Sequence, residues 1–227
     1  MTKQFSPSII AIDGPAASGK STLGRILAEK IGYLFFDTGV MYRAITWVAL
    51  NHDVDPHDEA AVTKLAETVQ IDIRPASKND GRTCDVLMGE RDITWETRSP
   101  EVEAYVSVVS AYPGVRRALS AQQRRIGQRG HIVMVGRDIG TVVLPEADLK
   151  VYLDASAEER ARRRYNENIQ RGGKADYEEI LQKVLERDHI DSTRAVAPLR
   201  PAEDAIILDS DKMEVEEVLA HVLELCR

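Results

Sequence analysis

The segment Ile9-Ile-Ala-Ile-Asp-Gly-Pro-Ala-Ala-Ser-Gly-Lys-Ser-Thr22 limits the folds open to this chain more than any other stretch. An apolar run leads into Gly14-x-x-x-x-Gly19-Lys20-Ser21, and an amphipathic stretch of helical length follows. Strand, Gly-rich turn and helix in that order form a phosphate-binding loop. Gly14 and Gly19 let the backbone turn and bring its N–H groups close to phosphate oxygens. The helix beginning near Lys20 adds the positive end of its dipole. Lys20 is expected to reach the β and γ phosphates as a point charge, and the Ser21 hydroxyl to ligate the Mg²⁺ that accompanies them. Gly14, Pro15, Ala16, Ala17, Ser18, Gly19, Lys20, Ser21 and Thr22 are therefore the expected contacts of a nucleoside triphosphate.

Five short apolar runs read as buried strands: Ser8–Ile12, Tyr33–Phe36, His131–Val135, Leu149–Leu153 and Ala205–Leu208. Amphipathic segments separate them, which predicts an α/β fold with a parallel sheet flanked by helices. Helices are predicted over Lys20–Ile31, Gly39–Asn51, Ala155–Gln170, Tyr177–Ile190 and Met213–Cys226, and another starts at Ser99-Pro-Glu-Val, an N-cap followed by proline. Residues of roughly 70–97 break the alternation. Val69–Arg74, Thr83–Met88 and Arg91–Thr94 alternate with polar turns and predict a local antiparallel sheet, inserted in the parallel one. Arg171-Gly-Gly-Lys-Ala reads as a flexible joint between two helices.

Of 227 residues 43% are apolar, enough for one α/β domain with an insertion. The net charge of −7 and the lack of a basic stripe exclude a nucleic-acid polymer as main partner. The start of the chain has no apolar leader core, no run approaches a membrane span, and the two cysteines, Cys84 and Cys226, are far apart. A cytoplasmic protein with incidental thiols and no membrane partner is expected, with a monomer as the default. The five histidines show no metal-ligand spacing. Trp47 and Trp95 read as core or insert packing, and Asp13 as a support of the turn.

A triphosphate loop serves switches, motors and kinases alike. No Asn-Lys-x-Asp guanine reader is present, and the strand His131–Val135 ends in Gly136-Arg137-Asp138 in place of a motor's Asp-Glu. Arg43, Arg116, Arg137, Arg160, Arg163, Arg164, Arg171, Arg187 and Arg194 lie at helix ends, strand ends or the Gly-Gly joint. Solvated faces with pairs such as Glu158–Arg162 and Glu159–Arg163 are the plain alternative for any one of them. Together they suit a kinase with two anionic substrates, because phosphoryl transfer depends mainly on positioning and cations. A phosphate acceptor is largely deprotonated near neutral pH and needs no general base.

Five stretches closely resemble the bacterial-type cytidylate kinases: Ile12–Thr22, Asp37-Thr-Gly-Val-Met-Tyr-Arg43, Gly136-Arg-Asp-Ile-Gly-Thr-Val-Val143, Leu153–Arg160 and Glu186-Arg-Asp…Asp191…Arg194-Ala-Val-Ala-Pro198. The resemblance implies a P-loop nucleoside-monophosphate-kinase fold. Its five-stranded core spans residues 1–64 and 101–227, with a monophosphate-binding insert over 65–100 and a short lid at about 160–175. It implies transfer of phosphate from ATP, with Mg²⁺, to CMP and dCMP and more weakly to UMP. Asp138, Arg116 and Ser107 match base readers, and Thr38 a small hydroxyl position. Arg43, Arg137 and Arg194 match contacts of the CMP phosphate and the transferring group. Arg187 and Asp191 match sugar and phosphate contacts, and Arg160 and Arg164 match lid arginines closing over ATP. Lys20, Arg137, Arg187 and Arg194 are the implied catalytic set. Tyr42 either packs or lines the acceptor pocket beside Arg43. Many members carry Asp where this chain has Val135, so any role of that carboxylate is missing here. Kinases of UMP, shikimate or dephospho-coenzyme A, and a non-catalytic nucleotide switch, remain the alternatives.

Overall fold

The computed structural model describes residues 6–170 and 172–226. Arg171 of the Gly-Gly joint and the first five residues, from which the lack of a leader is read, lie outside the described residues. Strands β1 (Ile9–Asp13), β2 (Leu34–Asp37), β6 (Ile132–Gly136), β7 (Leu149–Asp154) and β8 (Ile206–Asp209) form one sheet in the order β2-β6-β1-β7-β8. Every pairing is parallel. The shorter strands β3 (Ile71–Pro75), β4 (Cys84–Met88) and β5 (Arg91–Asp92) form a separate antiparallel sheet.

Alternation along the central strands sends side chains to two apolar layers. Ile10, Ile12, Val133, Val135, Val151 and Leu153 meet α1 (Lys20–Ile31) and α8 (Val215–Leu225) on one face. Ala11, Phe36, Ile132 and Met134 meet α2 (Gly39–Asn51), α3 (Glu59–Thr68) and α5 (Pro113–Gly127) on the other. Ile71, Ile73, Cys84, Val86 and Ile93 belong to that second layer, so the insert shares the core of the parallel sheet. Gly24 lets α1 lie close on the sheet, since a Cβ there would stand 2.5 Å from Val135 Cγ2. Val135 is thus a packing residue with no exposure.

The remaining helices are α4 (Pro100–Val109), α6 (Ala157–Gln170) and α7 (Tyr177–Thr193). Ser99 caps α4 by accepting from Val102 N at 3.4 Å, with Pro100 at the first turn. Gly172 follows α6 with φ of +78°, which glycine adopts without steric cost. Among the described residues no helix is long and apolar enough to cross a membrane.

Two expectations need correction. β8 is an edge strand, not a buried one: Ile207 is 60% exposed, because no strand pairs with its outer side and only Leu208 reaches the core. Arg162 pairs with Glu159 one turn back, not with Glu158, while Glu159–Arg163 is present at 2.8 Å. Trp95, 44% exposed, takes the insert alternative: its indole N–H donates to Asp80 at 3.0 Å and the Arg98 guanidinium lies over its ring at 4.8 Å. Two helices, α3 and α5, are not named in the sequence reading. Asp58 caps the first, and Pro113 opens the second.

Candidate active site

One cleft of about 910 Å³ runs from the loop between β1 and α1 to the C-terminal end of α7. Its mouth at the loop carries Ala16, Ala17, Lys20 and Ser21, and its far end carries Arg116, Asp138 and Arg194. Thr83, Val86 and Thr97 of the insert close its side. The cleft lies at the C-terminal ends of parallel strands, where α/β ligand sites form.

At the loop, Gly14 is required by crowding: a Cβ would stand 2.2 Å from Leu153 O. Ala17 takes φ of +63°, a strained value for a residue with a side chain, of the kind that marks ligand-binding turns. Lys20 is buried and donates from Nζ to Pro15 O at 2.7 Å. Burial and the neighbouring Arg137 cation push its pKa down to about 7. Ser21 Oγ donates to Asp37 Oδ2 at 2.6 Å, at the end of β2. Asp13, at the end of β1, accepts from the N–H groups of Ile139 and Gly140 at 2.8 and 2.7 Å. It thereby holds the one-turn π-helix Ile139–Val143 that follows Gly136-Arg137-Asp138. Burial raises its carboxyl to about 7 despite those two donors. This is the supporting role read for Asp13.

Arg160 of α6 takes a different place from the lid position that the resemblance implies. Arg160 is 3% exposed and lies beneath the loop, donating to Ala155 O at 2.9 Å, Ala16 O at 3.1 Å and the Asp188 carboxylate. Its planar fork thus braces the loop against α7 and does not stand free over a nucleotide. Arg163 adds a second brace through Ser18 O at 3.3 Å and Ser210 Oγ at 3.2 Å. Arg164, the next residue, does line the mouth of the cleft.

At the far end, α7 supplies a carboxylate surrounded by three guanidinium groups. Asp191 is 1% exposed and lies 2.5 Å from Arg137 Nε, 3.2 Å from Arg187 Nε and 3.1 Å from Arg194 Nη1. Burial opposes its ionisation, but the three cations outweigh that and hold its pKa below the ordinary value. Arg194 is pushed down to about 10, first by burial and then by Arg116. Two of the guanidinium nitrogens face carboxylates without an aligned hydrogen bond: buried Arg137 Nε lies 2.5 Å from Asp191 Oδ2, and Arg194 Nη2 lies 3.7 Å from Asp138 Oδ1. Three guanidinium groups around one carboxylate leave net positive charge, which a bound anion offsets.

Beside this cluster, Arg116 Nη2 donates to Asp138 Oδ2 at 3.0 Å, and Arg194 stands 3.7 Å from the other carboxylate oxygen. The Arg116 guanidinium lies over the Tyr42 ring, 5.4 Å from its centre. Tyr42 is buried and lines the cleft. Thr38 donates from Oγ1 to Val135 O at 3.0 Å. Ser107 Oγ accepts from Arg187 at 3.1 Å. Arg43 lines the cleft but pairs with Glu103 at 2.5 Å.

Thus Lys20, Ser21, Thr38, Tyr42, Arg43, Ser107, Arg116, Arg137, Asp138, Arg164, Arg187 and Arg194 all line one cleft, and Asp191 ties its arginines together. Ser110 and Glu103 also belong to it, as does Asp37, which the sequence shows as the first residue of the Asp37–Arg43 stretch but without a role. Ser110 stands three residues after Ser107, on the same helical face. Asp37 precedes the Thr-Gly turn that ends β2. Those spacings are the only signals that could have found them.

A five-stranded parallel sheet that puts a phosphate loop at one end of a guanidinium-lined cleft defines a P-loop phosphotransferase of nucleoside-monophosphate-kinase architecture. A solved structure of an uncharacterized protein from Eubacterium ventriosum shares the fold at TM-score 0.52 and 11% identity, over 96% of this chain and 97% of that one. The family model described as cytidylate kinase matches residues 10–227, and the chain belongs to that family. It is 51% identical over 219 residues to the cytidylate kinase of Roseiflexus castenholzii, covering 96% of this chain and 93% of the relative. Identity with the cytidylate kinase of Chloroflexus aggregans is 52% over 217 residues, with coverage of 96% and 93%.

Proposed function

We propose that this enzyme transfers the γ-phosphoryl group of ATP to CMP, and to dCMP, giving ADP and the cytidine diphosphate. The observation that carries this reading is the excess of cations around Asp191, three guanidinium groups to one carboxylate, in the cleft that opens on the Lys20 loop. Two anionic nucleotides meeting tail to tail repel each other, and this excess offsets the repulsion.

Loop N–H groups and Lys20 hold the donor phosphates. Binding of the triphosphate supplies the counter-charge that Lys20 lacks and returns its proton. Arg43, Arg137, Arg187 and Arg194 take the acceptor phosphate and the equatorial oxygens of the transferring group, where the transition state spreads charge. The acceptor oxygen attacks phosphorus as the bond to the ADP oxygen breaks, and no side chain has to remove a proton. Ser21 and Asp37 offer hard oxygen ligands beside the loop, a donor set that fits Mg²⁺. When bound with ATP, that ion neutralises developing phosphate charge.

Base choice follows from Asp138 and Arg116. Cytosine offers its N4 amino donor to the carboxylate, and its N3 and O2 acceptors to the guanidinium. Uracil presents a carbonyl where cytosine has the amine, leaving two acceptors face to face. Ser107 and Ser110 stand beside the sugar contacts expected of Arg187 and Asp191. Residues 65–100 act as the monophosphate-binding insert, and of the lid expected at about 160–175 the part from Arg164 onward closes over the donor and excludes water.

A side-by-side assay of ADP formation with CMP, dCMP, UMP and AMP tests the reading. CMP should be the best acceptor or share that place with dCMP. Faster turnover of UMP or AMP would overturn the base assignment, and ATP binding with no acceptor-dependent turnover would reduce the protein to a nucleotide switch.

A further inference from the structure

We propose that Asp37 is the positioning residue for the divalent cation that accompanies the triphosphate. This rests on the reading of the loop as the ATP site and deepens it. Asp37 ends β2 and lines the cleft beside Ala16, Ala17, Lys20 and Ser21. Its Oδ2 accepts the Ser21 hydroxyl proton at 2.6 Å, and its Oδ1 accepts from Gly39 N at 3.0 Å. The second bond, at the start of α2, fixes the carboxylate. The first orients Ser21, because a hydroxyl whose proton is donated to Asp37 has only lone pairs left to offer a cation. Hydroxyl and carboxylate oxygens together are the hard donors such an ion selects.

Three other aspartates lining or flanking the cleft are committed elsewhere. Both Asp13 oxygens accept from the Ile139 and Gly140 amides. Asp138 faces Arg116 and Arg194, and Asp191 faces three arginines. Strand β6, which neighbours β1, offers the apolar Val135 at the level of Asp37, its partner in the strand register. The carboxylate that touches the loop hydroxyl therefore comes from β2.

The test compares wild type with Asp37→Asn, without any acceptor. Two quantities are read: affinity for ATP in EDTA, and affinity of the enzyme–ATP complex for Mn²⁺, followed by the spin resonance of the free ion. Asp37→Asn should keep metal-free ATP binding within about twofold and weaken Mn²⁺ about 10- to 100-fold, the range found when the partners of metal ligands are removed. Asp37→Glu should recover part of that loss. Unchanged Mn²⁺ affinity overturns the proposal, and so does an equal loss of metal-free ATP binding, which would make Asp37 a support of the loop. Failure of wild type to bind ATP at all would instead overturn the function proposed above. If Asp37→Asn does not fold, crystals of wild type with ATP and Mn²⁺ decide. An anomalous peak bordering Ser21 Oγ and the Asp37 carboxylate supports the proposal, and a peak away from Asp37 overturns it.

Discussion

Two clusters of arginine and aspartate in this molecule are built in opposite proportions. In the insert, one buried cation, Arg82, meets three carboxylates, Asp80, Asp85 and Asp92, at 2.8, 2.8 and 2.7 Å. In the cleft, one buried carboxylate, Asp191, meets three cations, Arg137, Arg187 and Arg194. All the Arg82 nitrogens have partners in the first cluster, which ties the turn before β4 to β5 and to the Trp95 indole through Asp80. In the second cluster three cations share one carboxylate, so positive charge is left over. The same chemistry closes a loop where donors are matched, and prepares an anion site where cations are in excess. Placement in the cleft decides the rest, since only the second cluster faces the Lys20 loop.

The sharpest way to break this comparison is to remove one arginine from each cluster. Arg137→Ala should lower kcat on the order of 10³-fold, as loss of a transition-state arginine does, with little change in melting temperature. Arg82→Ala should do the reverse. It leaves three carboxylates without their cation, so thermal unfolding should begin at a clearly lower temperature, while turnover per folded molecule stays near wild type. Should Arg82→Ala abolish turnover at temperatures where it remains folded, the two clusters would not be functionally separate.

Asp138→Asn tests the base end of the same cleft. Exchanging a carboxylate for an amide gives uracil O4 a donor and deprives the cytosine amine of its charged acceptor. The CMP/UMP preference should fall about 10- to 100-fold, with ATP affinity unchanged. An unaltered ratio in the paired acceptor assay would remove Asp138 from base reading.

A titration of ATP affinity against pH sharpens the donor end. Burial pushes Lys20 down to about 7, far below its ordinary 10.5, and the charge of a bound triphosphate is expected to restore its proton. Above about pH 7, binding must therefore take up a proton. Affinity should fall by up to about tenfold per pH unit, with one proton taken up in calorimetry across buffers of different ionisation heat. Flat affinity from pH 7 to 9 would show that Lys20 is already charged in the empty loop.

The smallest effect is expected at the rim. Glu103 holds Arg43 at 2.5 Å, but its side chain is 65% exposed, so the pair contributes only about 0.2–1 kcal/mol. Glu103→Gln frees Arg43 and should lower KM for CMP by no more than about fivefold, leaving kcat in place. A large rise in KM would instead make Glu103 part of the acceptor site.

Local pattern made much of the fold legible. The helices Lys20–Ile31 and Gly39–Asn51 have the predicted bounds, because Gly32 and the Asp37-Thr-Gly turn are signals carried by neighbouring residues. All five strands of the parallel sheet fall within a residue or two of the apolar runs, and the antiparallel insertion is where its turns place it. Helix α5 was less visible. Its mean composition is polar, with six arginines and glutamines between its few apolar contacts, yet it buries Arg116 and Gln123 beneath the cleft. Arg160 shows the same limit from the other side. Sequence offers a charged helix residue near a joint, and only the folded chain brings Ala16 O and Asp188 within its reach.

The phosphate loop, the order of strands and helices, and the family were determined by the sequence itself. Each depends on contacts between residues a few positions apart, or on patterns of polarity that repeat along the chain. Which carboxylate meets which arginine was decided only by the tertiary structure. Asp138 and Arg116 are 22 residues apart, Ser107 and Arg187 80, and Ser21 and Asp37 sit on different elements. Coulomb and hydrogen-bond energies act over a few ångströms in space, whatever the separation along the chain, so their pairing appears only when the sheet and its helices bring the ends together.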